Sequence, residues 1–274
     1  MRAEDGLCEL FAMSSGAPGR VSFAFAEFVR HGAPHGANPD GWGAAYYEGA
    51  DAHLVREAVP ATRSDFVPIL EHHRIPSQVV LAHVRHATRG PATLANTHPF
   101  ARALGGRRHT FAHNGSLPGI EAALPLDSAT FRPIGETDSE YAFLVLLERL
   151  RPLWAQSGTI PDAAQRLEIL AAFAARLRDL GTANFLYSDG DLLFAHAHRR
   201  RYPDAIRPPG LHIHLRNGEP RHRLAAEGIA VETTGTEAHS LALIASVPLT
   251  AKGWRPLGEG RVIALAGGRI IGEA

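Results

Sequence analysis

An α+β fold, with helices covering mainly antiparallel sheets, follows from three observations. Strand-like segments come first, two long helical segments occupy the middle, and strand-like segments return to the end. The strands are short and separated by turn pairs such as Glu48-Gly49 and Asp189-Gly190, the punctuation of hairpins. No linker, low-complexity tract or internal repeat divides the 274 residues, so a single domain is expected.

Glu9 to Ser14 is short and apolar-rich and predicts a strand that starts just after Cys8. Val21, Phe25, Phe28 and Val29 fall at helical spacing, so Val21 to Arg30 predicts a helix closed by His31-Gly32. A loop rich in Gly, Pro and His follows to Asp40. Trp42 to Tyr47 and His53 to Glu57 read as strands around Glu48-Gly49, and Ser64 to His72 as a helix. Val79 to Val84 is a continuous apolar run with β-branched residues. It predicts a buried strand that delivers His83-Val84-Arg85-His86-Ala87-Thr88-Arg89-Gly90 at its end. Thr110 to His113 is a further strand. Thr137 and Glu140 have capping-box spacing before an apolar helix over Tyr141 to Leu150. Pro161 to Leu180 predicts a second long helix, with Pro161 in its first turn and Gly181 just past its end. The remainder reads as β: Asn184–Tyr187, Leu192–His196, Leu211–Leu215, Leu241–Ser246 and Arg261–Ile271, the last broken by Gly267-Gly268.

Composition narrows the function classes. Hydrophobic residues are 45% and charged residues 20%, which suits a packed core rather than a disordered chain. The net charge is zero, so no global field recruits nucleic acid or an anionic membrane, and a small-molecule substrate is the expected partner. A single cysteine excludes an internal disulfide framework and fits a reducing cytoplasmic setting. The polar start Met1-Arg2-Ala3-Glu4-Asp5-Gly6 lacks the apolar core of a signal peptide. No run approaches the roughly 20 apolar residues of a membrane helix.

Four features carry chemistry. The first is Cys8. A thiol becomes a good nucleophile when a base takes its proton, and a cysteine that is residue one carries its own base, the α-amine. Cys8 stands seven residues from that arrangement, and by itself a lone cysteine in an apolar run fits packing at least as well. The second is Arg85 with Thr88, a guanidinium fork and a hydroxyl for a carboxylate; an arginine on a solvated turn fits the same residues. The third is Asn114-Gly115, a side-chain amide and a backbone N–H for an oxyanion, with an Asn-Gly hairpin turn as the competing reading. The fourth is Asp138. In the first turn of a capped helix it stays ionised and can receive an ammonium, although plain helix-end stabilisation needs no ligand.

Together these groups describe a site for a free amino acid. An arginine takes the α-carboxylate, an aspartate takes the α-ammonium, a thiol attacks a side-chain carbonyl, and a donor pair holds the oxyanion. Glutamine, or a γ-glutamyl compound, has a cleavable side-chain amide at that reach. Two His-x-His pairs, His196 with His198 and His212 with His214, also have metal-ligand spacing on a strand. In a chain with 16 histidines ordinary strand residues account for them, so no metal site is expected. Arg199-Arg200-Arg201 reads as a solvated charged turn, with contact to an anionic partner as the other reading.

The motifs Cys8-Glu9-Leu10-Phe11, Asp40-Gly41-Trp42-Gly43, His83 to Gly90, Asn96-Thr97-His98-Pro99-Phe100, Ala112-His113-Asn114-Gly115 and Gly135-Glu136-Thr137-Asp138-Ser139-Glu140-Tyr141 follow one another in order. In that order they resemble the class II glutamine amidotransferase domain, an N-terminal-nucleophile hydrolase, and within it the stand-alone YafJ-like branch. The resemblance runs from Cys8 to past Leu150; the C-terminal half carries no specific motif. It implies a four-layer αββα sandwich of two antiparallel sheets with helices outside. It implies Cys8 as the nucleophile that forms a γ-glutamyl thioester, Asn114 and Gly115 as the oxyanion hole, Arg85 and Thr88 on the substrate α-carboxylate, and Asp138 on its α-amine. His98 matches a recurring histidine of structural role, and Trp42 is grouped with it as a supporting residue. Arg89 stands where better-known synthases of the class carry histidine, a departure the YafJ-like branch shares.

No cofactor is implied. With no synthase domain following, released ammonia is expected to go to a separate protein or to solvent. Relatives of the branch act on γ-glutamyl compounds in glutathione breakdown and ergothioneine assembly, so a γ-glutamyl amidohydrolase is the close alternative. A glutamine-sensing or partner-binding domain is the non-catalytic one. A papain-like thiol protease is disfavoured, because nothing pairs a separate histidine base with Cys8.

In this family the mature chain begins with the cysteine. Residues 1–7 are therefore expected to be absent from the mature enzyme, leaving 8–274 as the amidotransferase domain. Leu7 occupies the place of an initiator methionine, and a leucine codon such as TTG can start translation and be decoded as Met. A cleaved propeptide is the rival expectation. If Met1–Leu7 stays, Cys8 has no α-amine and should be nearly inactive.

Overall fold

Strand periodicity dominates the chain. Leu10 and Ala12 enter one apolar layer, while the intervening Phe11 and Met13 enter another. The computed structural model describes residues 8–23, 40–85, 90–127, 129–155, 158–202, 204–226 and 228–274. The strands are β1 (Glu9–Phe23), β2 (Gly41–Glu48), β3 (Asp51–Glu57), β4 (Pro76–Arg85), β5 (Phe100–Leu104), β6 (Arg107–Ser116), β7 (Thr182–Ser188), β8 (Leu193–His196), β9 (Arg200–Arg201), β10 (Ile206–Arg207), β11 (His212–Ala226), β12 (Ile229–Ala245), β13 (Trp254–Pro256), β14 (Val262–Ala266) and β15 (Arg269–Glu273). The helices are α1 (Phe66–His73), α2 (Ile120–Ala123), α3 (Asp138–Trp154) and α4 (Ala163–Arg178).

A seven-stranded sheet runs β13-β11-β12-β1-β4-β2-β3, and a six-stranded sheet runs β15-β14-β8-β7-β6-β5. Neighbours in both are antiparallel. β9 and β10 form a separate two-stranded ribbon. Between the sheets, Leu10, Ala12 and Leu81 pack against Ala112, Leu186 and Ala195. Outside the first sheet, Phe11, Trp42 and Val80 share a core with Val67 of α1. Outside the second, Phe111 and Phe185 pack on Phe143 of α3 and Phe173 of α4. This is the expected αββα sandwich. Each fully buried aromatic contributes about 1.5–3 kcal/mol. The Tyr47 hydroxyl also ties the sheets together, reaching Thr110 Oγ1 at 2.9 Å and donating to Ser188 O at 2.8 Å.

Several elements differ from the sequence reading. Val21–Phe23 is the end of β1 and not the start of a helix, because it pairs with Ile229–Val231. The rest of that predicted helix, residues 1–7 of the expected leader, and His86–Arg89 with Thr88 lie outside the described residues. Asn114-Gly115 is not a hairpin turn; it stays inside β6, paired with Asn184 and Ala183. β11 and β12 form one long hairpin that extends well beyond the two apolar segments. Its extension, Arg216–Arg223, is mostly exposed and polar, so its backbone ladder leaves no apolar alternation to read. α4 starts two residues after Pro161: Asp162 caps it, its Oδ1 accepting from Ala164 N at 2.8 Å. Among the described residues, no helix is long and apolar enough to cross a membrane.

Candidate active site

Strand register brings the site together. β1 pairs with β4 so that Glu9 faces Val84, which carries Cys8 to the level of Arg85. β2 pairs with β4 so that Gly41 faces Arg85, and Asp40 N donates to Arg85 O at 2.8 Å. Alternation places Cys8 on the inner face with Leu10 and Ala12, and Arg85 on that face with Leu81. On the second sheet, Ala112 and Asn114 turn inward by the same rule. Asn114 Nδ2 donates to Cys8 O at 2.5 Å and so bridges the two sheets. That nitrogen carries a second hydrogen, directed away from this bond. Gly115 follows a close backbone approach: a Cβ there would collide with the Thr182 carbonyl.

The residue between them faces the other way. His113 turns outward to α3, where its Nδ1 lies 2.8 Å from Ser139 Oγ and its Nε2 lies 3.3 Å from Thr182 O. A carbonyl only accepts, so Nε2 carries the hydrogen and Nδ1 accepts from the serine. Burial pushes the His113 pKa below its ordinary value, partly opposed by Asp138, so the ring is neutral at pH 7. Asp138 is the first residue of α3, next to that pair. Its Oδ2 accepts from Leu117 N at 2.7 Å, which fixes the carboxylate beside the end of β6. Thr137 caps the helix, accepting from Glu140 N at 3.1 Å. The other half of the capping box is diverted: the Glu140 carboxylate takes the N–H groups of Ile134 and Gly135 and pairs with Arg102.

Arg85 is buried, with Nη2 donating to Gly90 O at 3.2 Å. Asn96 links that loop to the turn before Asp138. Its Nδ2 donates to Pro91 O at 3.1 Å and its Oδ1 accepts from Glu136 N at 2.8 Å. His98 is buried against His83 and Phe100, with ring centroids 4.2 and 4.4 Å away. Burial above all, with the neighbouring His83 and His113 rings and the Arg85 and Arg56 guanidinium groups acting in the same direction, holds it well below the ordinary histidine range. Trp42 faces the outer core on the side of the sheet opposite Cys8, so its link to the site runs through the β2 backbone.

Sequence reasoning missed three groups from the motif-free half. Asn184 lies opposite Asn114 in the β6–β7 ladder. Its Nδ2 donates to Asn114 O at 3.2 Å and Arg199 O at 2.7 Å, and its Oδ1 accepts from His198 N at 2.7 Å. Arg200 forms a buried ion pair with Glu9 at 2.9 Å. Ser246 Oγ accepts from Leu10 N at 2.9 Å. No local signal marks any of them, since each is defined by partners far along the chain. Arg200 also departs from the solvated turn expected for the Arg199–Arg201 run.

The two His-x-His pairs have protein partners. His196 Nδ1 lies 3.0 Å from Arg261 O, His212 Nδ1 lies 3.2 Å from Ser246 O, and His214 Nε2 accepts from Arg216 Nε at 3.0 Å. Among the described residues, no cluster of three or more His, Cys, Asp or Glu has metal-holding geometry.

The profile of the family described as class-II glutamine amidotransferases matches residues 7–274. YafJ of Escherichia coli (strain K12), named provisionally as a glutamine amidotransferase, is 39% identical over 190 residues, 69% of this chain and 72% of its own. The crystal structure of a predicted glutamine amidotransferase from Pseudomonas aeruginosa PA01 superposes with a TM-score of 0.70 at 30% identity, covering 97% of this chain and 100% of that one. The glutamine phosphoribosylpyrophosphate amidotransferase of B. subtilis shares the fold at 16% identity and a TM-score of 0.57, over 97% of this chain and 49% of its own.

Proposed function

The chain belongs to the class-II glutamine amidotransferase family, and from that premise we propose that it hydrolyses the γ-amide of glutamine or of a γ-glutamyl compound through a thioester on Cys8. The observation that supports this most directly is the contact of Asn114 Nδ2 with the Cys8 carbonyl, which joins the nucleophile of one sheet to the oxyanion donor of the other. In this reading residues 1–7 are absent from the mature enzyme and Cys8 supplies its own α-amine. The amine, through a water, takes the thiol proton, and the thiolate attacks the γ-carbonyl carbon. Asn114 and the Gly115 N–H stabilise the oxyanion, the proton passes to the departing nitrogen, and ammonia or an amine leaves. Water then attacks the thioester, releasing glutamate and restoring the thiol. Arg85 and Thr88 hold the α-carboxylate and Asp138 the α-ammonium, while neutral His98 packs against His83 and Phe100. The enzyme acts in the cytoplasm and passes ammonia to solvent or to a separate acceptor protein.

The test uses chain beginning at Cys8, with Cys8→Ala as control. Ammonia release from glutamine and glutamate release from γ-glutamyl amides are expected from the first and not from the second, and the better substrate identifies the leaving group. Binding without turnover would favour a sensor. Intact mass showing Met1–Leu7 retained on active enzyme would sink the N-terminal-nucleophile mechanism.

A further inference from the structure

Within the Arg199-Arg200-Arg201 run, Arg200 alone turns inward; its side chain is 2% exposed and that of Glu9 is 1% exposed. Arg200 Nη2 donates to Glu9 Oε1 at 2.9 Å, and Nη1 donates to Ser246 O at 2.8 Å. Ser246 in turn grips Leu10 twice, accepting from Leu10 N through Oγ at 2.9 Å and donating its own N–H to Leu10 O at 3.1 Å. The guanidinium thus sits where the start of β1, the end of β12 and the β9–β10 ribbon meet. A buried ion pair is rarely a net source of stability, because desolvating two charges offsets most of their attraction. Its position one residue after the nucleophile therefore suggests another role.

We propose that Glu9 and Arg200 are a positioning pair for the nucleophile, which pins the first residues of β1 so that Cys8 meets Asn114 in register for attack. This rests on reading Cys8 as the N-terminal nucleophile. A chain that starts at Cys8 has no covalent hold upstream. The Glu9–Leu10 anchorage behind it and Asn114 at its side then help to place its thiol. A misplacement of about 1 Å at a reacting atom costs on the order of 100-fold in rate.

The test compares mature wild type, the charge-free double variant E9Q/R200M and the single variant R200K. The double variant removes both charges, so no isolated charge is left buried. In R200K the compact ammonium loses the fork that reaches Glu9 and Ser246 together. Relative to wild type, E9Q/R200M is expected to lose about 10- to 100-fold in kcat on glutamine, with KM within about twofold and the fold intact by circular dichroism. R200K is expected to lose less. In parallel, the pH midpoint for alkylation of Cys8 by iodoacetamide is expected to move by about half a unit or more in either variant, as the thiol loses its fixed relation to the α-amine. Unchanged kcat with an unmoved alkylation midpoint overturns the proposal. A rise in KM alone also overturns it, because the pair would then serve substrate binding. A wild type without turnover strikes the functional reading instead, and the alkylation midpoints alone then decide the role of the pair.

Discussion

Residues up to Asp138 supply the groups assigned to substrate, whereas residues from Thr182 onward supply only supporting contacts, around Cys8 and Asn114. Cys8, Arg85 and Asp138 sit at strand or helix ends and Asn114 near the end of the β6 ladder, within motifs whose spacing is short. Asn184, Arg200 and Ser246 lie in the second half without any motif; Asn184 ends on the backbone of Asn114, and Arg200 and Ser246 end on Glu9 and Leu10, the two residues that follow Cys8. The second half also completes both sheets, through β7 and β8 in one and β11 and β12 in the other. Chemistry and support are thus divided along the chain while being interleaved in space. The contacts that join them span 70, 191 and 236 positions.

That division predicts a graded response. The largest effect is expected at Asn114, since Asn114→Ala removes the proposed oxyanion donor and should lower kcat on glutamine by about 10²–10³-fold, with the fold intact by circular dichroism. Asn184→Ala should act more weakly on kcat, by roughly tenfold. It should also cost about 1–3 kcal/mol in denaturant unfolding, because it leaves the His198 N–H and two carbonyls without their partner. If the two variants gave equal kcat losses at equal stability, the division between acting and supporting residues would collapse.

A third prediction concerns stability rather than rate and involves one histidine from each half. Burial pushes His109 of β6 down to about 4 and His196 of β8 down to about 3. The unfolded chain takes up protons near pH 6.5, where both folded rings stay neutral, so stability is full above that pH and falls below it. The expected loss is about 1.4 kcal/mol per pH unit for each ring, down to about pH 4 for His109 and about pH 3 for His196. Urea unfolding at pH 7 and pH 5 measures it, and a flat profile would show that these rings gain protons in the folded state.

Legibility in the sequence followed the range of the interaction. β4 was readable because Val79 to Val84 is a continuous apolar run, and α3 because Thr137 announces its cap. Asn114-Gly115 misled when read locally. The dipeptide fits a hairpin turn, and only its pairing with Asn184 and Ala183 keeps it in a strand. β5, β13 and the polar extension of β11 escaped because their residues show no clear alternation and are held by backbone pairing with a distant partner. Glu9 was visible inside a motif, yet nothing near it in the chain signals that its partner is Arg200.

By itself the sequence determined the α+β class, the main strands and helices, and the ordered set of motifs that marks the family. These rest on periodicity, capping and short spacings, which act over a few residues. Only the tertiary structure decided which face each site residue takes, that Asn114 reaches Cys8 across two sheets, and that one arginine of an ordinary-looking basic run is buried against Glu9. Those outcomes depend on strand order and register, which are set by the packing of the whole sandwich.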